Sequence, residues 1–364
     1  MLSKRVLAAA MMVMMTGAIF AGCGNDEKGA TKSDIKIGLS TDEGGLNDKS
    51  FNQAADTGIK KAKKEFGFEY NAIESKGKED YTENLETLIG EGSQLVFGVG
   101  YKMLDAIKAA AEKYPETNFT IIDEKVELPN VESITFKEHE GSFLMGVIAG
   151  EMAKDGKVGF IGGYDNPLIN KFEVGFAAGV MSVNPKAGED LLSRKTVKYA
   201  DSFSDVNKGY ESGKALIDEG CTIVYHAAGG VGMGMFRAVK EARDAGNGDV
   251  WAIGVDMDQA AFLAASKTKE DQELAKVIVS SMIKRVDTAT YNAAKDVVEK
   301  KFKGGTHVEL GLVEEGVGVA ETTKDNTPED VMKKVEEYKK AIIEGKFEVP
   351  ATIDELKEFK APEL

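Results

Sequence analysis

Six segments of this chain run through apolar, β-prone residues and then turn abruptly to acids, aromatics or glycines. IKIGLS (35–40) is followed by TDEGGLNDKSFNQ, and QLVFGV by Gly100-Tyr101. FTII is followed by Asp123-Glu124, and TVKYA by Asp201-Ser202-Phe203-Ser204-Asp205. CTIVYHAA leads to Gly229-Gly230-Val231-Gly232, and VWAIGV to Asp256-Met257-Asp258-Gln259. Ionised Asp42, Asp123 and Asp256 only accept hydrogen bonds, which suits ring N–H groups or sugar hydroxyls. Helix capping and turns use the same residue type, so both readings stand. Phe51 and Phe203 supply two rings that suit the faces of a flat ring or a pyranose; each is equally placed to staple a helix start. Gly229 and Gly230 allow close backbone approach to a ligand, or simply a tight turn.

Catalytic signatures are sparse. The glycines of GGVGMG lack dinucleotide spacing, and no phosphate-binding G-x-x-x-x-G-K-[ST] loop or G-x-S-x-G elbow occurs. His139, His226 and His307 lie far apart, without zinc-ligand spacing. His226 and Cys221 sit inside an apolar run and read as core residues. Asp256 and Asp258 read either as a carboxylate pair or as one ligand contact and one helix cap. No metal or cofactor is expected.

These residues need elements to carry them. Strand-like runs alternate with helical patterns twice. The first series includes helix-like 51–66, EYNAI (69–73), 104–114 and VESITF (131–136). A long apolar helix at 141–153 separates it from a second series, which starts at KVGFIGG (157–163) and ends at VWAIGVD (250–256). Such alternation predicts α/β architecture with parallel sheets and crossover helices, in two similar lobes. Ligands of open parallel sheets bind beyond the carboxyl ends of strands, so the residues above would converge on one cleft between the lobes. Residues 275–300 read as one long helix, 307–320 as strand, turn, strand, and Thr327-Pro328-Glu329-Asp330 as a capped helix start.

The chain begins with a basic head, Lys4 and Arg5, an apolar run from Val6 to Phe20, and Ala21-Gly22-Cys23. This is the pattern of a secretory signal peptide (residues 1–22). Phe20-Ala21-Gly22-Cys23 resembles a bacterial lipobox, in which Cys23 would be acylated and carry a palmitate-type anchor. Residues 23–34 are then a lipidated cysteine and a flexible polar tether. The net charge is −15, and the leader contains two basic residues and no acid, so the remainder is near −17. That excludes nucleic acid as a natural partner. With Cys23 lipidated, Cys221 has no disulfide partner.

LSTDEGGLNDKSFNQAADTG, IIDE, FKEHEGSFLMGVIAG, KVGFIGG, DSFSD, HAAGGVGMG, IGVDMDQ and SSMIKRVD, in this order, resemble the basic membrane protein family over about residues 35–345. That family includes purine nucleoside receptor lipoproteins with a type I periplasmic-binding-protein fold, which feed ABC importers. The resemblance implies that Phe51 and Phe203 stack on a base and that Asp42 and Asn52 meet its edge. It implies that Asp123, Gly230 and Asp256 hold the ribose and backbone side, and that Lys284 reaches ribose hydroxyls from a hinge-proximal helix. Glu43 and His139 receive no role from it.

The expected protein is a lipid-anchored, monomeric, non-enzymatic binding protein on the extracytoplasmic face of the cell membrane. It would capture nucleosides of the inosine, guanosine and adenosine class for ABC permease and ATPase subunits. The expected N-terminal lobe is 35–139 plus about 266–300; the C-terminal lobe is 140–265 plus about 301–364, with crossings near 139, 265 and 300. The alternatives are a sugar-binding lipoprotein, a nucleoside-cleaving surface enzyme and an adhesin or signalling receptor.

Overall fold

The computed structural model describes residues 33–362. The leader, Cys23 and the tether up to residue 32 lie outside the described residues. Twelve strands follow in chain order: β1 (Lys36–Thr41), β2 (Glu69–Ile73), β3 (Leu95–Val99), β4 (Asn118–Ile122), β5 (Val131–Phe136), β6 (Lys157–Gly162), β7 (Val197–Tyr199), β8 (Cys221–Ala227), β9 (Trp251–Asp256), β10 (Ile278–Lys284), β11 (Thr306–Leu310) and β12 (Val317–Val319). They form two six-stranded sheets, ordered β11-β5-β4-β3-β1-β2 and β12-β10-β9-β8-β6-β7. Pairing is parallel except between β10 and β12. Every residue of β3 is buried, as expected of a central parallel strand covered on both faces.

In each sheet the chain starts near one side, adds a strand outward, then returns and builds the other way. The reversal falls between β1 and β3 in the first lobe and between β6 and β8 in the second. The loops leaving those strands diverge there, which leaves a crevice at the strands' carboxyl ends.

Three segments join the lobes. Lys137 links β5 to helix Glu138–Ala153, Arg285 links β10 to helix Val286–Val298, and residues 311–316 link β11 to β12. The second and third crossings do not fall near 265 and 300. Strand β10 pairs with β9, so residues 278–284 belong to the second lobe, and β11 pairs with β5, so 306–310 belong to the first. The expected helix over 275–300 is thus a strand followed by a helix. IVSSMI is a continuous apolar and small-residue run whose periodicity does not separate a buried strand from a buried helix. Likewise β11 and β12 enter different sheets rather than pairing as a hairpin. Thr327 ends helix Thr323–Asn326, and Pro328 occupies the cap position of Glu329–Ile343.

Helix Glu138–Ala153 is buried along most of its length. Phe143, Leu144, Val147 and Ile148 are fully buried, each contributing about 1.5–3 kcal/mol. It lies almost backbone-to-backbone on helix Pro167–Val183: a Cβ on Gly146 would sit 2.2 Å from the Phe176 carbonyl oxygen.

Candidate ligand-binding cleft

The cleft between the lobes is narrow in this arrangement, a cavity of about 50 Å³ lined by residues of both lobes. Its walls come from the strand ends. Asp42 follows β1, Gly100 and Tyr101 follow β3, Ala228 and Gly229 follow β8, and Asp256 ends β9. The chain turns sharply at these points. Asp123 and Asp256 adopt left-handed backbone (φ 72° and 68°), as do Gly100 and Gly229. Asp tolerates that region better than most side chains, and such strained positions collect at ligand sites. Gly100 is required here: a Cβ would sit 2.8 Å from Asp42 Oδ2.

Helix Phe51–Phe66 starts at the cleft. Asp48 caps it, accepting from the backbone N–H groups of Ser50 (3.0 Å), Asn52 (2.8 Å) and Gln53 (3.1 Å). Ser50 is thereby freed from capping, and its hydroxyl donates across the cleft to Asp256. Asn52 Nδ2 donates to Asp42 Oδ1 (2.8 Å), leaving Asn52 Oδ1 buried without a partner. Phe51, the first helical residue, lines the cavity, as does Phe203 from the opposite lobe. Phe203 lies directly on Gly163, where a Cβ would approach its ring to 2.1 Å.

Lys284 ends β10 rather than sitting on a helix, and it is 2% exposed. Its ammonium donates to Asp123 Oδ2 (2.7 Å) and lies 3.0 Å from Glu138 Oε1. The rings of Phe51 and Phe136 are each 5.0 Å away and that of Phe172 5.5 Å, close enough for cation–π attraction. Burial opposes the ammonium charge, but Asp123, Glu138 and Asp256 outweigh it and hold the lysine above its ordinary pKa. Asp123 Oδ1 is buried without a partner. Burial raises Asp42 and Asp256, and raises Asp123 against the pull of Lys284. Burial carries Asp48 up to about 7 despite its backbone hydrogen bonds. The cleft thus offers oxygen acceptors in surplus, arranged around one fixed cation and aromatic rings. It fits a neutral ligand rich in N–H and O–H donors.

Of the residues singled out from sequence, Asp42, Phe51, Asn52, Phe203, Asp256 and Lys284 line the cleft together. Asp123 stands behind Lys284 as its ion-pair partner. Gly230 is one residue off the wall, which its neighbour Gly229 forms. Gly100 and Tyr101, noted at the end of β3, are also in the wall. Asp48, Leu168, Ile169, Phe172 and Glu138 received no role from the sequence; of these, Asp48 carried a local signal, an acid just ahead of a helix start. Asp258 is the cap of helix Gln259–Ala264, accepting from Ala261 N–H (3.0 Å), so it forms no carboxylate pair with Asp256. His226 is buried, with Nε2 3.0 Å from Gln259 Oε1, and burial lowers its pKa to about 4. Cys221 is a buried free thiol, pushed by burial up to about 12. Both behave as core residues.

Two α/β lobes, three crossings and a cleft at facing strand ends define a two-lobed solute-binding protein of the type I periplasmic-binding-protein fold. The chain belongs to the Bmp family of PnrA-like ABC transporter substrate-binding proteins, which matches residues 35–352. It is 38% identical to the CD4+ T-cell-stimulating antigen of Listeria monocytogenes, covering 96% of this chain and 99% of the relative. It is 37% identical to the ABC transporter nucleoside-binding protein BmpA of Lactococcus lactis, covering 96% and 100%. Among solved structures it resembles an ABC transporter solute-binding protein from Aeropyrum pernix K1, with a TM-score of 0.74 and 27% identity over 89% of this chain and 96% of that one.

Proposed function

We propose that this protein captures intact nucleosides, foremost purine nucleosides of the inosine, guanosine and adenosine class, and delivers them to ABC permease and ATPase subunits. The observation that carries this reading is the pairing of Phe51 and Phe203, aromatic walls from opposite lobes, with the buried unpartnered acceptors Asn52 Oδ1 and Asp123 Oδ1. A base supplies the flat ring and N–H donors; a ribose supplies hydroxyl donors. Asp42 and Asn52 would take the base edge. Asp123, Asp256 and Lys284 would take the sugar, with the backbone at Gly229-Gly230 alongside. The relationship to a nucleoside-binding protein supports the same ligand class. Closure of the lobes around the ligand is the state a transporter would read.

The protein binds without turnover, acts as a monomer, and is held at the extracytoplasmic membrane face through lipid on Cys23. The leader and the Phe20-Ala21-Gly22-Cys23 sequence support the anchor. Cys23→Ser would move the protein from the membrane fraction to the medium; retention in the membrane fraction would refute the anchor.

The test is calorimetry on residues 24–364, unfolded and refolded to strip ligand, against inosine, guanosine, adenosine, cytidine, uridine, ribose and free bases. One-to-one binding of purine nucleosides, with ribose and bases weak, is expected. Preference for a free sugar would replace the ligand, and release of free base from bound nucleoside would replace binding with hydrolysis.

A further inference from the structure

Glu43 and Lys102 sit outside the cavity lining, at the loops that leave β1 and β3. Tyr164 sits just after β6, in the opposite lobe. These are the two points of strand-order reversal, whereas the crossings leave β5, β10 and β11, on the other side of each sheet. Lys102 Nζ lies 2.5 Å from Glu43 Oε1, and the Tyr164 hydroxyl donates to that same oxygen at 2.9 Å. The lysine also lies 3.6 Å from the Tyr164 ring centroid and 5.4 Å from that of Phe203. Phe203 is gripped edge-on by one tyrosine from each lobe, Tyr164 at 5.1 Å and Tyr101 at 6.4 Å. Asn166 of the second lobe donates to the Tyr101 hydroxyl at 3.2 Å.

We propose that Glu43, Lys102 and Tyr164 form a latch across the cleft mouth that positions Phe203 and slows ligand escape. The inference rests on the binding reading above. The tyrosine comes from one lobe and the ion pair from the other, so the Tyr164–Glu43 bond exists only when the lobes are together. Glu43 and Lys102 side chains keep 17% and 21% exposure, so water can compete for them once the lobes part. None of the three residues is part of the cavity wall, and Tyr164 and Lys102 meet that wall at the Phe203 ring, so the cluster acts on closure and on the aromatic wall. Because the bond is present only in the closed arrangement, its loss accelerates opening and leaves the encounter step alone.

The experiment is stopped-flow binding of guanosine to residues 24–364 carrying Tyr164→Phe, Glu43→Met or both. Each single change should raise koff about three- to tenfold, the worth of one hydrogen bond, with kon within about twofold. The double change should be no worse than the poorer single one, since both remove the same bond. The same factors should appear with inosine. Unchanged koff, additive effects, or losses confined to kon would overturn the latch while leaving nucleoside binding intact. A wild-type chain that bound no nucleoside would instead overturn the binding reading, and the latch with it.

Discussion

Replacing Lys284 with methionine keeps the length of the side chain and removes its charge from a site that is 2% exposed. The ammonium is 2.7 Å from Asp123 and 3.0 Å from Glu138, and Asp256 also acts on it. Removing one partner of a buried ion pair costs about 3–5 kcal/mol, because the remaining charges lose their compensation. For a chain of this size that lowers the melting temperature by roughly 5–15 °C. The loss must depend on pH. Asp123 and Asp256 are already raised by burial, and without the lysine their folded-state pKa values rise further. Raised carboxylates stabilise the fold when protonated, and that contribution disappears as pH rises through their folded values. Lys284→Met should therefore be most destabilised near pH 8 and approach wild type near pH 5.5. Asp123→Asn added to Lys284→Met should recover part of the loss at pH 8. Thermal unfolding of ligand-free protein, followed by circular dichroism at several pH values, measures all three. A variant that melts like wild type at pH 8, or whose deficit grows toward acid, would refute the assignment of Lys284 as the charge that these carboxylates require.

Phe203→Ala should weaken nucleoside binding by about 1–3 kcal/mol, the worth of one aromatic stack; an unchanged calorimetric Kd would remove Phe203 from the ligand's face. Gly163→Ala places a methyl 2.1 Å from the Phe203 ring, so it should weaken binding at least tenfold while the ligand-free protein stays folded by circular dichroism, an outcome that wild-type affinity would contradict. Burial raises Asp48 to about 7, well above its ordinary value, so its contribution to ligand-free stability is complete below about pH 4 and is lost as pH rises through 7. Melting temperature should accordingly fall between pH 5.5 and 8, and the slope should flatten in Asp48→Asn; an identical slope in the variant would count against Asp48 as its source.

Much of this architecture was legible because it follows from local patterning. Short buried runs alternating with helical periodicity encode parallel strands and crossover helices, and the polar, aromatic or glycine residue that ends a run marks the sheet edge where ligands bind. Asp42, Phe203 and Asp256 could be picked out because each falls within a few residues of such an end, and Phe51 because it closes the loop after β1; the ordered family motifs added Asn52 and Lys284. Asp258 shows the limit of that rule: it lies two residues beyond Asp256, yet its side chain caps a helix outside the cleft.

What the tertiary structure decided is whatever depends on partners distant in sequence. Residues 278–284 form a strand because β9 offers an open edge, and no periodicity in an apolar run can announce that. Asp123 and Lys284 are 161 positions apart, and their contact ties Asp123 Oδ2 to the lysine while Oδ1 stays without a partner. Glu43 meets Tyr164 across 121 positions, only because the loops at both strand-order reversals face the same opening. Local sequence sets which backbone shape each segment prefers; free-energy terms for buried charges and cross-lobe contacts arise only once the chain has folded and brought those groups out of water together.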